Sequence, residues 1–207
     1  MNGCELQRVA SFNFLGIVID EHISWNSHIA HLTNKIAKKV GIINNLKRFL
    51  PQNVLITLYY SLIQCHLQYG ILLWGPNCHR LEKLQKKCIR SISRSKYNAH
   101  TDPLFKTFGI LKVYDLFVLA SMKFYHKFCN LLLPNFFNDW TFSIQGNVHS
   151  YATRYTHHFR ANITRTYQAQ KCLRNLLPSI LNQFPAALIN QVHTHSLHGF
   201  TNNCKNS

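Results

Sequence analysis

The sequence predicts a mainly α-helical protein, with a short β-strand ahead of the helices and an irregular region after them. In several stretches apolar residues recur at spacings of three and four, as in helices that bury one face. A β-rich run occurs near the N-terminus, and residues 135–166 are polar with weak periodicity. Because hydrophobic residues make up 46% of the chain, it has enough apolar material for a packed core.

The strand is predicted over residues 12–19, with the sequence FNFLGIVI. Such a run is typical of a buried strand, and Gly16 within it indicates a bulge or a close backbone approach. Asp20 and Glu21 follow as adjacent acids. In a continuing strand they would point to opposite faces, so we interpret them as residues that end the strand rather than as metal ligands.

The first helix is predicted to begin near Ser24 or Asn26, since either side chain can cap it. Its apolar stripe, and the basic residues that lie off that stripe, are both clear from the spacing. The stripe comprises Ile29, Leu32, Ile36, Val40, Ile43 and Leu46, and the basic residues are Lys35, Lys38, Lys39, Lys47 and Arg48.

A second helix, roughly residues 54–74, follows Pro51 and is apolar nearly all round, as a central core helix is. It is long enough to span a bilayer, and no Lys, Arg, Asp or Glu lies between Arg48 and Arg80. However, polar side chains near its middle are costly in lipid and favour a buried helix. These are Gln64, His66 and Gln68.

The third helix, about residues 80–95, has sharply separated faces. Its apolar stripe is Leu81, Leu84, Cys88 and Ile92, and its basic stripe is Arg80, Lys83, Lys87, Arg90 and Arg94. Only Glu82 opposes seven basic residues between positions 80 and 96. Surface helices normally mix signs, so this face favours an anionic partner over simple solvation.

The rest of the chain predicts a turn at Asp102-Pro103, a helix over residues 113–133 ended by Pro134, and short helices over 169–177 and 185–192. The resulting division is 1–22 for the strand region, 23–134 for a helical bundle and 135–207 for a basic, partly irregular region.

Charge is the unusual feature of the composition: 23 Lys plus Arg stand against 7 Asp plus Glu, a formal net charge of +16. Such an excess favours a polyanionic partner, first of all nucleic acid. An anionic membrane surface and a basic protein without a specific partner are the alternatives. The seven cysteines are odd in number and form no Cys-x-x-Cys pair, and the first residues lack a signal peptide. We therefore expect an intracellular protein, nuclear or cytoplasmic, and not a secreted one.

The sequence offers little for catalysis. Two-metal chemistry needs placed carboxylates, and no Asp-Asp or Asp-x-Asp pair exists. Cys65-His66 and Cys78-His79 lack zinc-site spacing, and His193, His195 and His198 form only a loose cluster. No base-orienting residue accompanies any cysteine. We predict no catalytic site, no metal site and no cofactor.

Several ordered stretches carry a resemblance. The first is Phe12-Asn13-Phe14-Leu15-Gly16-Ile17-Val18-Ile19-Asp20, followed by Ile23-Ser24-Trp25 and His28-Ile29. The second is Leu58-Tyr59-Tyr60-Ser61-Leu62-Ile63, followed by Leu67, Tyr69-Gly70 and Trp74-Gly75. The third is Leu81-x-x-Leu84-Gln85-x-x-Cys88-Ile89-Arg90, and later come His149-Ser150-Tyr151-x-Thr153-Arg154 and Arg165-Thr166. Together they resemble the C-terminal part of reverse transcriptases from non-LTR retrotransposons, the LINE or jockey-like class.

This resemblance implies a palm-derived primer-grip strand, in which Phe14, Leu15 and Gly16 help to place a primer end, followed by a thumb-like helical bundle. It implies that RNA and/or DNA is held through backbone phosphates. The residues expected to do so are Lys35, Lys38, Lys39, Lys83, Lys87, Arg90 and Arg94.

The family's aromatic-x-Asp-Asp motif is absent here, as are its fingers and most of its palm. The resemblance therefore implies a fragment that is inactive alone. Its partner would be the missing upstream polymerase core, and a divalent metal is expected only in the full-length parent. A lone palm strand should fold poorly, stick to other chains or pack locally as something else. The alternatives are a non-enzymatic basic helical nucleic-acid-binding module or, less favoured, a membrane-associated protein.

Overall fold

The predicted mainly helical fold is confirmed by a computed structural model, which describes residues 8–147, 157–190, 192 and 199. The chain divides into two compact units, the first ending at Tyr114 and the second beginning at Asp115. The first contains β1 (Ser11–Phe14), β2 (Ile17–Asp20), α1 (Asn26–Leu46), α2 (Gln52–Tyr59), α3 (Cys65–Gln68), α4 (Ile71–Trp74), α5 (His79–Ile92) and α6 (Asp102–Phe108). α7 (Val113–Cys129) crosses the division, and α8 (Tyr167–Gln170), α9 (Leu173–Leu181) and α10 (Ala186–Asn190) follow.

The single buried strand predicted over residues 12–19 is wrong, because the chain reverses direction at Leu15 and Gly16. β1 and β2 form an antiparallel hairpin in which Phe12 pairs with Ile19 and Phe14 with Ile17. Leu15 and Gly16 have φ values of 50° and 81°, as two-residue turns that match the twist of hairpin strands require. The residues of β1 are exposed and those of β2 half-buried. Each strand therefore has a partner along one edge, which the lone strand lacked.

The apolar stripe predicted for α1 is confirmed: Ile29, Leu32, Ile36, Val40 and Ile43 are buried and Leu46 is half-buried. The helix begins at Asn26, near the predicted position, but its N-cap residue is Trp25, which makes no side-chain cap hydrogen bond. The Ser24 hydroxyl accepts a hydrogen bond from the backbone N–H of Asn26. Two side-chain contacts fix its direction against α5. Asn77 Nδ2 donates to the Ser24 carbonyl at 3.5 Å, and the Ser91 hydroxyl donates to Asn44 Oδ1 at 3.1 Å. The two helices therefore run parallel.

The second helix, predicted as continuous over residues 54–74, is interrupted. A π-helical segment, Tyr60–Gln64, joins α2 to α3. The helix is then interrupted at Gly70, whose φ is +63°. Only glycine adopts this conformation without strain, which explains the break. Burial is confirmed for one face only. The residues of that face are almost completely inaccessible: Leu55, Tyr59, Ile63, Leu67, Ile71 and Trp74. Val54, Tyr60 and Leu73 are exposed, so this is not the fully buried core helix predicted from the sequence. Among the described residues, every helix is too short or too polar for a transmembrane span.

The turn predicted at Asp102-Pro103 is the first turn of a helix, α6, where proline is tolerated because the first amides of a helix lack partners in it. α7 ends at Cys129, earlier than predicted.

In the C-terminal unit, the described residues of the segment predicted to be irregular include short 3₁₀ turns and a bridge between Ile144 and Phe159. Asn182 holds this bridge, accepting from the Phe159 N–H at 2.8 Å and donating to its carbonyl at 2.9 Å. The tail residues His149, Ser150, Tyr151, Thr153 and Arg154, and the cluster His193, His195 and His198, lie outside the described residues. The predicted domains 1–22, 23–134 and 135–207 remain a prediction.

Candidate nucleic-acid interface

The outward face of α5 is basic, as its spacing predicts. Leu81, Gln85, Cys88, Ile89 and Ile92 are buried on the opposite face. Arg80, Lys83 and Lys87 are exposed, and Lys83 and Lys87 lie one helical turn apart on the same side. Among the described residues, no carboxylate lies within ion-pair distance of Lys83 or Lys87. These two ammonium groups are therefore available to an anionic partner.

Lys86 differs from its neighbours because it lies near an acid. The pKa of Asp102 is lowered, mainly by its hydrogen bond and 2.9 Å ion pair with Lys112, with a smaller contribution from Lys86.

The two predicted arginines are tied to backbone carbonyls. Arg90 is half-buried, and its Nε donates to the Ala99 carbonyl at 2.9 Å. Arg94 lies beyond the end of α5, not on the helix as predicted, and its φ is +55°. Its guanidinium donates to the Leu50 carbonyl at 3.0 Å. Each guanidinium keeps further N–H donors, so both remain compatible with phosphate contacts while their position is fixed by the fold.

The lysines of α1 fall into two groups. Lys38 and Lys35 are exposed, whereas Lys39 is half-buried and its Nζ hydrogen-bonds to His66 Nε2 in α3. The pKa of His66 is lowered, first by burial and then by Lys39 and Lys35. A neutral His66 is the form that can accept from the Lys39 ammonium. Lys39 therefore joins α1 to α3, and Lys35 and Lys38 are the more accessible cations.

The predicted primer-grip residues lie at the tip of the hairpin. Phe14 is 55% and Leu15 73% exposed. The backbone of this tip is held by the Tyr69 hydroxyl, which donates to the Leu15 carbonyl at 2.6 Å. Beside it, a Cβ placed on Gly70 would approach Ile17 Cδ1 to 2.8 Å. The Leu-Gly and Tyr-Gly landmarks of the sequence are thus in contact.

We call this contact between the hairpin tip and Tyr69-Gly70 the joint, and other landmark residues extend it. Trp74 is inaccessible, its indole N–H donates to the Tyr69 carbonyl at 3.0 Å, and its ring lies 6.0 Å from that of His28. His28 Nδ1 accepts from the Val18 N–H of β2 at 3.2 Å. These residues connect the hairpin, α1 and α4, so their role in the structure is to hold elements together.

Asp20 also has a structural role. It accepts from the backbone and hydroxyl of Ser24 at 2.9 and 3.0 Å. Although burial alone would raise the pKa of Asp20, hydrogen bonds from Ser24 and from the backbone of His22 hold it below its usual value. Glu21 pairs with Arg8 at 2.8 Å. Asp20 therefore shapes the turn into α1, whereas Glu21 pairs with a residue that precedes the hairpin.

Sequence reasoning missed Gln85, which is buried inside the N-terminal unit. Its Nε2 donates to the Tyr59 hydroxyl at 2.7 Å and to the Leu111 carbonyl at 2.8 Å, and its Oε1 accepts from the Val113 N–H at 3.1 Å. It thereby ties α5 to α2 and to the start of α7. The signal was present: a polar residue lies on the apolar face of α5.

Burial makes the thiol of Cys88, one helical turn from Gln85, unreactive as a nucleophile. It raises the pKa of Cys88 to about 12, so the thiolate needed for nucleophilic attack does not form near neutral pH. Within the described ranges, no group of three or more His, Cys, Asp or Glu side chains could hold a metal ion.

Acid should weaken the joint through His28. Its pKa is lowered, first by burial and then by His31. Because the unfolded chain takes up the proton below about pH 6.5, the stability from neutral His28 is present above that pH. It is lost as the pH falls from there through the folded pKa. We expect the urea concentration at the midpoint of unfolding to decrease when the pH is lowered from 7.5 to 5.5.

His28→Asn is the matched variant, since its amide oxygen can replace Nδ1 as the acceptor for Val18 but does not titrate. The urea midpoint of this variant should depend less steeply on pH. Part of the pH dependence that remains should come from His66, whose pKa is also lowered. Equal pH dependence in the two proteins would exclude His28 as the source.

Comparisons of the chain with protein-family models, with curated proteins and with solved structures found no match.

Proposed function

We propose that this chain is the C-terminal part of a non-LTR retrotransposon reverse transcriptase, and that it binds the sugar-phosphate backbone of RNA and/or DNA without catalysing polymerisation itself. The missing upstream polymerase core would be its partner. The observation that supports backbone binding is the outer face of α5, where Lys83 and Lys87 are exposed and form no ion pair with any carboxylate that the structure describes.

The charge pattern supports phosphates as the ligand. Each cation placed on a phosphate releases condensed counterions, which favours association in a salt-dependent way. Arg90 and Arg94 follow these lysines along the chain, in positions fixed by backbone carbonyls, so they add donors without needing to be ordered on binding. This arrangement suits contacts to a backbone better than readout of bases.

The origin of the chain from a polymerase is supported by how its landmarks pack. Residues from the first two stretches of the resemblance contact one another, as in the Tyr69–Leu15 hydrogen bond, and Gln85 of the third bonds to Tyr59 of the second. Three ordered motifs that also contact one another within the N-terminal unit fit descent from one domain. A basic binding module unrelated to polymerases explains the charge but gives no reason for this set.

Lys83→Gln/Lys87→Gln tests the binding surface. If both lysines contact phosphates, the slope of log K against log salt should become shallower by about two units. The measurement is fluorescence anisotropy with a labelled RNA–DNA hybrid at salt concentrations from about 50 to about 300 mM. This is roughly the range over which backbone contacts lose most of their affinity.

The control variant is Lys106→Gln/Lys123→Gln, which removes the same charge from two other exposed positions. It should leave the slope nearly unchanged. If the two double variants lose affinity and slope equally, binding is a response to net charge and the assignment to α5 fails.

The origin is tested by the coding sequence upstream of Met1. A polymerase core in the same reading frame, with the aromatic-x-Asp-Asp motif, is the expected result. An uninterrupted upstream frame without such a core would favour the unrelated binding module.

A further inference from the structure

The C-terminal unit carries a second basic surface, distinct from α5. Residues 160–174 contain Arg160, Arg165, Lys171 and Arg174 and no Asp or Glu. After Asp115 the sequence has a single acidic residue, Asp139. Arg160, Arg165 and Arg174 are exposed, and none of them pairs with a carboxylate in the described part of the chain.

Unlike α5, this surface combines cations with aromatic rings. Tyr167 is 62% exposed, and Lys171 Nζ lies 4.5 Å from the centroid of its ring. The Arg174 guanidinium lies over the Trp140 ring, 5.9 Å from its centroid. Trp140 packs edge-on against Phe137, with 5.1 Å between the ring centroids. Arg174 is exposed, so its guanidinium can reach a ligand from the side away from Trp140.

Side-chain hydrogen bonds hold this segment in place. Asn175 Nδ2 donates to the Ala169 carbonyl at 2.6 Å, and Asn162 Nδ2 donates to Asn175 Oδ1 at 3.2 Å. The Thr166 hydroxyl accepts from the Ala169 N–H, and Gln170 Nε2 donates to the Thr164 carbonyl. Tyr167 and Arg174 are therefore attached to a preorganised backbone, which lowers the entropic cost of binding.

We infer that Tyr167, Lys171 and Arg174, together with Trp140 beneath Arg174, form a stacking platform for single-stranded nucleic acid. Unpaired bases stack on the face of the Tyr167 ring opposite Lys171 and on the exposed Arg174 guanidinium, while Arg160 and Arg165 contact phosphates. Single strands are the fitting ligand because stacking requires bases that are not covered by a duplex. Affinity at the platform should therefore depend on the presence of bases, whereas affinity at α5 should depend on phosphates alone.

The experiment compares a 12-nucleotide oligothymidylate with an abasic oligonucleotide of the same length and charge, using the full chain. The intact protein should bind the oligothymidylate at least about tenfold more tightly, since stacking strengthens binding by that order per base. Tyr167→Ala should reduce this ratio at least about fivefold, with little change in affinity for the abasic strand. Tyr167→Phe keeps the ring and should keep the ratio.

Repeating the comparison in the Lys83→Gln/Lys87→Gln background separates the two surfaces. The platform predicts that the base-dependent ratio survives there, whatever happens to the salt slope. A ratio near one in the intact protein, or an unchanged ratio in Tyr167→Ala, overturns the platform and leaves the assignment of α5 untouched. A salt slope that does not respond to the α5 variant contradicts only the proposed backbone surface.

Discussion

Gln85→Leu is expected to lower the free energy of unfolding of the N-terminal unit by about 4 kcal/mol, because the groups it leaves unsatisfied each cost roughly 1–3 kcal/mol. The affected groups are the Leu111 carbonyl, the Val113 N–H and the Tyr59 hydroxyl. Gln85 is only 1% exposed, so water cannot readily replace the lost partner. Leucine fills a similar volume, and the loss therefore reports mainly on hydrogen bonding.

The measurement is urea unfolding in a Trp140→Phe background, where the remaining fluorescence comes from Trp25 and Trp74 in the N-terminal unit. Gln68→Leu is the matched control, since it makes the same chemical change at an exposed position of the same unit. It should change stability by less than about 0.5 kcal/mol. A Gln85→Leu variant as stable as this control would show that the three hydrogen bonds contribute nothing.

A double-mutant cycle assigns part of the effect to one bond. Tyr59→Phe alone should cost about 1 kcal/mol, because the amide of Gln85 loses one acceptor. In the Gln85→Leu background the same change should cost less or become favourable, since it removes a hydroxyl already without a partner. Burial raises the pKa of Tyr59, so the hydroxyl is protonated throughout the neutral range and the cycle can be measured at pH 7.

The helices and their buried faces could be predicted because periodicity records burial directly. Ile29, Ile36 and Ile43 in α1 are each buried as their spacing requires. The hairpin could not be read in the same way. Leu15 is apolar and belongs by composition to the strand, yet it adopts a positive φ that its side chain disfavours. The surrounding contacts, among them the Tyr69 hydrogen bond, hold that turn in place.

The candidate site was predicted only in part, for a related reason. Spacing places Lys83 and Lys87 on the outer face of α5, which depends on the helix alone. The guanidinium contacts of Arg90 and Arg94 depend on loops that bring Ala99 and Leu50 beside the helix. Likewise, the partners of Gln85 come from distant parts of the chain. Local pattern therefore identified the face of the helix but not which of its side chains are engaged.

The joint between the two glycine-containing landmarks should be the other sensitive point of the fold. Gly70→Ala is expected to destabilise the N-terminal unit by about 2–3 kcal/mol, of which roughly 1–2 kcal/mol is the cost of a left-handed conformation for a residue with a Cβ. The remainder comes from Ile17, whose Cδ1 would lie 2.8 Å from the new Cβ and must move. Because Cδ1 is the far end of a flexible side chain, this second contribution is the smaller of the two.

Gly109→Ala separates these two contributions, because Gly109 has the same φ of +63° but nothing within 4 Å of the position of a Cβ. It should show the conformational cost alone. Ile17→Val, which removes the clashing methyl, should then narrow the difference between Gly70→Ala and Gly109→Ala in urea unfolding. If Gly70→Ala costs no more than Gly109→Ala, the hairpin does not press on Gly70. The contact between the Leu-Gly and Tyr-Gly landmarks would then rest on the Tyr69 hydroxyl alone, and Tyr69→Phe should release the hairpin tip.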